Sequence, residues 1–164
     1  MSNLKKFFAA LVIALTGISC AQASEFAGPY AGIKVGENWS GASGVVNKSS
    51  HATFFPGLTA GYGFDVKQFV IGAEVFADFH HGSTTYKDGG IDLKFGMPFN
   101  TIMPYARLGM TGTWPNARLH GGVGVEYKFA KQFSVAAEWT ADSSSHDGTK
   151  RRNDSMTVGV HYYF

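Results

Sequence analysis

The sequence predicts an all-β fold, an eight-stranded antiparallel up-and-down transmembrane β-barrel, and three observations carry that expectation. The first is the stretch Asp154 to Phe164. Met156, Val158, Val160, Tyr162 and Phe164 fall on one side of it and Ser155, Thr157, Gly159, His161 and Tyr163 on the other, a period of two sustained over a whole strand. The second is that the earlier chain repeats this alternation and offers no amphipathic helix beyond its first residues. The third is composition. With 21 Gly, 14 Phe, 7 Tyr and 3 Trp among 164 residues, the chain suits alternating strands better than apolar helical spans.

Residues 1 to 23 stand apart. Lys5 and Lys6, the apolar run Phe7 to Ile18 and Ala21-Gln22-Ala23 are the three parts of a secretory signal, and about a dozen apolar residues are too few to span a bilayer. The expectation is therefore a cleaved signal peptide, 1-23, followed by a single outer-membrane β-barrel domain, 24-164. Cys20 raises a lipoprotein anchor as the alternative, but Gly17 stands three residues before it where Leu would be expected. Without the signal no cysteine remains, although disulfides are permitted outside the cytoplasm. The whole sequence has 14 basic and 12 acidic side chains, so losing Lys5 and Lys6 leaves no net charge and implies no broad nucleic-acid surface.

The strands follow in order. Pro29 to Trp39 sets Ala31, Ile33, Val35 and Trp39 against Tyr30, Gly32, Lys34, Gly36 and Asn38. The polar run Ser40 to Ser50 reads as a loop. Ala52 to Phe64 alternates again, with Pro56 expected near a strand end or bulge, and Asp65 to Gln68 is short enough for a hairpin turn. Phe69 to Phe79 sets Ile71, Ala73, Val75 and Ala77 against Gly72, Glu74, Phe76 and Asp78. His80 to Gly90 is a second polar loop. Ile91 to Met97 and Tyr105 to Trp114 flank a turn around Pro98 to Met103, and place Asp92, Lys94, Gly96, Arg107, Gly109 and Thr111 on their polar sides. Leu119 to Phe129 and Phe133 to Ala141 join through Ala130-Lys131-Gln132, with Glu126 and Glu138 on the polar side. Asp142 to Asn153 is the last predicted loop, and Asp154 to Phe164 must pair with Pro29 to Trp39 to close the barrel.

A soluble lipocalin-like barrel or sandwich would bury the apolar face and wet the other. Against that, the polar side is rich in glycine and carries only isolated charges, such as Lys34, Glu74, Lys94, Arg107 and Glu126. A solvent face carries dense Lys and Glu, whereas a narrow lumen admits a long charged side chain only beside small neighbours. Tyr30, Trp39, Phe69, Phe79, Trp114, Phe129, Phe133, Trp139, Tyr162 and Phe164 cluster at strand ends, as membrane girdles do.

Tyr30-Ala31-Gly32-Ile33-Lys34-Val35-Gly36, Leu93-Lys94-Phe95-Gly96-Met97-Pro98, Tyr105-Ala106-Arg107-Leu108-Gly109, Gly124-Val125-Glu126-Tyr127 and Thr157 to Phe164 resemble, in this order, the transmembrane domain of the OmpA family. The resemblance implies a barrel in the outer membrane of a Gram-negative bacterium, with external loops, short periplasmic turns and an interior closed by ion pairs. Two departures stand out: Ala136 takes the place of the family's gating arginine, and the sequence stops without the periplasmic peptidoglycan-binding domain.

The expected chemistry follows from that interior. Lys34, Glu74, Lys94, Arg107, Glu126 and Glu138 form a candidate lumen ion-pair network, because charges there are costly unless paired. The expected role is structural and envelope-stabilising, with the loops Ser40 to His51, His80 to Gly90 and Asp142 to Asn153 presented for interaction, including adhesion or resistance to host defence. The alternative is a narrow gated pore for water or small ions. An outer-membrane lipid A-modifying enzyme is the third reading, since Ser145-His146-Asp147 has the right residue types, but consecutive residues point apart. His80-His81, with His51 or His146, lacks a convergent ligand set, so no metal and no cofactor is expected. Lys150, Arg151 and Arg152 are candidates for contact with lipopolysaccharide phosphates. Val160, Tyr162 and Phe164 resemble the C-terminal signal read by the outer-membrane assembly machinery. Lipid, lipopolysaccharide, that machinery and host surface proteins are the expected partners, and nucleic acid is not.

Overall fold

A computed structural model describes residues 24–81, 87–112 and 117–164. Its strands are β1 (Gly28–Gly44), β2 (Lys48–Val66), β3 (Phe69–Phe79), β4 (Lys87–Gly96), β5 (Ile102–Thr111), β6 (Arg118–Ala130), β7 (Phe133–His146) and β8 (Thr149–Tyr163). Each pairs antiparallel with its neighbour, and β8 returns to β1, so the sheet closes in simple up-and-down order. Closure leaves no sheet edge inside the barrel body, which a spanning structure requires.

The solvation pattern is inverted relative to a water-soluble domain. Leu108 is 63% exposed on the outer face, while Arg107 beside it is 5% exposed inside. Ile33, Leu58, Val75, Leu93, Leu119, Val123 and Val158 continue the exposed apolar belt, and Lys34, Glu74, Asp92, Lys94, Glu126 and His161 are buried. An outward hydrocarbon belt around a polar interior is stable only when lipid replaces water outside. Below the belt, outward rings gather: Tyr62 with Phe64 at 4.5 Å, Phe69 with Phe95 at 5.0 Å, and Phe133, Tyr162 and Phe164 in succession.

Tight turns close one end. Lys67 and Asn100 take positive φ between β2 and β3 and between β4 and β5, and two residues, Lys131 and Gln132, separate β6 from β7. At the other end the strands are unequal. The predicted loops Ser40–His51 and Asp142–Asn153 are instead largely strand: β1 and β2 run on to a connection at 45–47, and β7 and β8 meet at a two-residue turn, Asp147-Gly148. Both turn residues have positive φ (49° and 69°), the geometry that matches hairpin twist. These segments look like loops in sequence because, clear of the bilayer, neither face has to be apolar. The β1–β8 ladder therefore runs from Tyr30↔Tyr163 to Gly44↔Thr149, while β4–β5 spans only Gly90↔Thr111 to Gly96↔Tyr105.

Three further expectations need adjustment. Tyr30 is not a girdle residue but points into the lumen, as its alternation with Ala31 requires. Pro56 lies within β2, one residue past the last β2–β3 pair, Gly57↔Asp78, where its missing N–H costs no bond to β3. The strands expected from Ile91 and Tyr105 begin earlier, at Lys87 and Ile102. Trp114 and residues 82–86 of the predicted loop His80 to Gly90 lie outside the described residues.

Candidate functional site

The polar face of every strand points into the lumen, and its side chains meet in three tiers. Nearest the tight turns, Glu126 is 0% exposed and accepts hydrogen bonds from Ser134 Oγ and from Tyr163 Oη (2.8 Å). His161 Nδ1 lies 3.0 Å from the same carboxylate and Lys94 Nζ 3.8 Å from its other oxygen. Ala136 faces Glu126 across the β6–β7 ladder and is itself buried, so no arginine reaches this tier from β7.

The middle tier spans the barrel. Arg107 bridges Asp92 and Glu138 by direct ion pairs, with Glu74 at 3.7 Å. Lys94 donates to Glu74 (3.4 Å) and sits over the Tyr105 ring at 4.4 Å. Tyr30 Oη donates to Glu74 and Tyr105 Oη to Glu138, each at 2.7 Å. The tyrosines fit because glycines lie opposite them. A Cβ on Gly61 would lie 2.6 Å from the Tyr30 ring, and one on Gly124 2.5 Å from the Tyr105 ring, which explains why the lumen face alternates large residues with glycine.

In the upper tier Lys34 pairs with Asp78 at 3.0 Å rather than joining Lys94 and Arg107. His120 connects the tiers, with Nε2 on Asp92 and Nδ1 3.0 Å from Thr111 Oγ1. Arg118 closes the top by reaching Asp88 (2.6 Å) and Asp142 (3.0 Å) from opposite sides, and Asn153 donates to Asp142 at 2.7 Å. His80, just beyond β3, is buried with its ring 4.0 Å from that of Phe55. Burial, helped by the nearby Arg118 and Lys34, pushes its pKa down to about 4. At neutral pH it is therefore uncharged, and its 3.9 Å separation from Asp88 is not an ion pair.

The lumen is filled. A cavity of about 40 Å³ remains under Arg118, lined by Lys34, Asp78, Arg107, His120 and Glu138. Another of about 10 Å³ remains beside Lys94 and Glu126. The first holds at most a few waters and the second one, and the Arg107 tier lies between them.

Of the six residues expected in the network, Glu74, Lys94, Arg107, Glu126 and Glu138 are gathered in the two lower tiers, and Lys34 is set apart with Asp78. Alternation already placed Asp78, Asp92, His161 and Tyr163 on the inner face, where Tyr105 shares the parity of Arg107 and His120 that of Glu126, but only the register shows that they complete the network. Asp88, Arg118 and Asp142 carried no such mark, because they sit in or beside stretches that read as loops.

The other candidates lie at the outer end. Lys150 and Arg152 are exposed, and Arg151 alternates to the other face of β8. Arg152 pairs with Asp154 at 3.0 Å. Ser145 and His146 point to opposite faces at the tip of β7, and His146 meets Asp147 at 3.1 Å in solvent. His81 is exposed while His80 turns inward. Val160 and Phe164 are exposed on the lipid face, and Tyr162 packs between Phe133 and Phe164.

The family described as outer membrane protein beta-barrel domain matches residues 8–164 of the chain. No curated protein sequence matches it. Among solved structures, Neisserial surface protein A is similar at 19% identity and a TM-score of 0.54, over 82% of this chain and 97% of that one. Ail, the attachment invasion locus protein of Yersinia pestis, is similar at 14% identity and a TM-score of 0.48, over 82% and 99%. The N-terminal β-barrel domain of Pseudomonas aeruginosa OprF is similar at 13% identity and a TM-score of 0.42, over 77% and 96%. At these identities the first likeness shows the fold alone.

Proposed function

For this chain, which belongs to the outer membrane protein beta-barrel domain family, we propose a structural and surface-presenting role in the outer membrane of a Gram-negative bacterium. The single observation that carries the proposal is the contrast between a lumen crossed by ion pairs and a sheet of four strands, β7-β8-β1-β2, that continues past the rest of the barrel. The tight-turn end faces the periplasm and the wall faces outward. On β2 the wall extends nine residues, Lys48 to Pro56, beyond its last pair with β3, about 30 Å along the strand.

The tips at 45–47 and Asp147-Gly148 are the contact elements offered to partners outside the cell, host surface proteins among them. Val45 at the first tip is 82% exposed. Arg152 and Lys150, on the outward face of β8 between the apolar belt and the Asp147-Gly148 turn, meet the phosphates of lipopolysaccharide. The outward row Val160, Tyr162 and Phe164 is the surface offered to the assembly machinery.

The test replaces 41–50 and 145–150 by Asn-Gly turns, which keeps Ser40 opposite His51 and Ser144 opposite Arg151, and measures cell binding and serum survival. Loss of either with the barrel intact supports presentation. The narrow pore predicts the opposite: planar-bilayer openings that persist after these replacements and disappear in Glu74→Ala or Lys94→Ala. That result would overturn the proposed role.

A further inference from the structure

The lead before β1 folds back under the barrel. The Ala27 N–H donates to the Ser24 carbonyl (3.0 Å) and the Phe26 N–H to Ser24 Oγ (3.2 Å), making a tight turn. The turn puts Phe26 inside the periplasmic mouth, where it is 1% exposed and packs with Val70, Met103 and Tyr163 beneath Tyr30 and Tyr105. Its carbonyl crosses Gly63 so closely that a Cβ there would lie 2.5 Å away. Only the space of about 10 Å³ separates this ring from Lys94 and Glu126. Phe26 is thus a stopper that keeps periplasmic water from the lowest ion pairs, which are stronger for being dry.

One contact holds the lead from outside: the Ser24 backbone nitrogen donates to Asp65 Oδ2 at the end of β2 (2.9 Å). In the precursor that nitrogen is a neutral amide. We propose that signal-peptide removal after Ala23 turns it into an α-ammonium ion, and that its ion pair with Asp65 latches the Phe26 stopper into the mouth. The proposal rests on reading 1-23 as a cleaved signal. Hydrolysis of the Ala23–Ser24 amide leaves a carboxylate on the signal and an ammonium on Ser24, so export itself supplies the charge. An ammonium–carboxylate hydrogen bond is shorter and stronger than the amide–carboxylate contact it replaces, and it forms only when Ser24 is the first residue.

The experiment uses mature protein purified from outer membranes. Mass spectrometry reads its first residue, and chymotrypsin in detergent micelles then reports how often the Phe26–Ala27 bond leaves the mouth. The expected chain starts at Ser24. Cleavage after Phe26 is expected to be about three- to tenfold faster in Asp65→Asn, and in a variant with Gly-Ser inserted after Ala23, than in wild type, the range set by a partly exposed charge-assisted bond. Asp65→Glu should restore slow cleavage. If Asp65→Asn does not fold, the Gly-Ser insertion decides, because it leaves every barrel residue intact. Equal rates in wild type and the insertion variant overturn the latch while leaving signal removal standing. A mature chain starting at any other residue overturns the proposal at its first step.

Discussion

The two sides of this barrel solve different problems with the same sheet. Across β3 to β6 the strands are cut to roughly the height of the apolar belt, and their inner faces carry Glu74, Asp92, Lys94, Arg107 and Glu126. Across β7, β8, β1 and β2 the strands outrun the bilayer, and their upper portions are rich in serine, threonine, asparagine and glycine, with Lys48, Asp142, Lys150, Arg151, Arg152 and Asp154 among them. The short side concentrates buried charge, so its stability depends on each partner being present. Above the belt the tall side depends on backbone ladders, so its outward side chains are free to change, while Lys34, Glu138 and His161 lower on the same strands belong to the lumen network. Stability and surface contact are therefore assigned to different heights of the barrel.

The largest effect should come from the charge-bearing side. Arg107→Met strands Asp92, Glu138 and Glu74 in a dry interior and should cost about 3–5 kcal/mol, the usual loss when one partner of a buried pair is removed. Urea unfolding in micelles and the gel shift on boiling would measure it. A loss below about 1 kcal/mol would mean that water reaches the middle tier and would break the comparison. Gly61→Val comes next. Its side chain would collide with the Tyr30 ring and the Ala73 carbonyl, and overpacking of this kind costs about 1–3 kcal/mol. The same unfolding assay with Tyr30→Phe as a second change should show partial coupling.

Acid sharpens the contrast at the rim. His80 is held neutral, with a pKa lowered to about 4 against about 6.5 in the unfolded chain. The unfolded state therefore binds the proton first as pH falls. Stability from this group is complete above about pH 6.5 and is lost progressively down to about pH 4. The loss should be about 1–3 kcal/mol, felt at the His80 rim and not in the wall. Amide hydrogen exchange at pH 7 and pH 4.5 would show it, and His80→Phe should reduce the difference. The smallest effect on stability is expected from Lys150→Ala with Arg152→Ala, within about 0.5 kcal/mol for exposed positions. The same pair should weaken binding to lipopolysaccharide micelles several-fold, more at low salt than at high.

What could be read in advance follows from where the bilayer imposes a rule. Within the belt one face must be apolar, so alternation placed Lys34, Glu74, Lys94, Arg107, Glu126 and Glu138 on the inner face and Val158 and Val160 on the outer. Above the belt neither face is constrained, and the strands through Ser40 to Ser50 and Asp142 to Asn153 have no period to detect. Asp147-Gly148 was the available hint, since this pair favours a two-residue hairpin turn. Partner choice was hidden for another reason. Lys34 meets Asp78, and Arg118 meets both Asp88 and Asp142, because of strand register, a quantity that spacing along one chain does not encode.

The seam between β1 and β8 has a consequence in time. It joins residues such as Asn38 and Ser155, hydrogen-bonded at 2.8 Å though 117 positions apart, and it is one of the long ladders in the molecule. Such distant pairing forms late, because most of the chain must be placed before the two strands can meet. Opening it again means separating many bonds together in a medium that offers no substitutes for them. The barrel should therefore assemble slowly and, once shut, persist for far longer than its equilibrium stability alone would suggest.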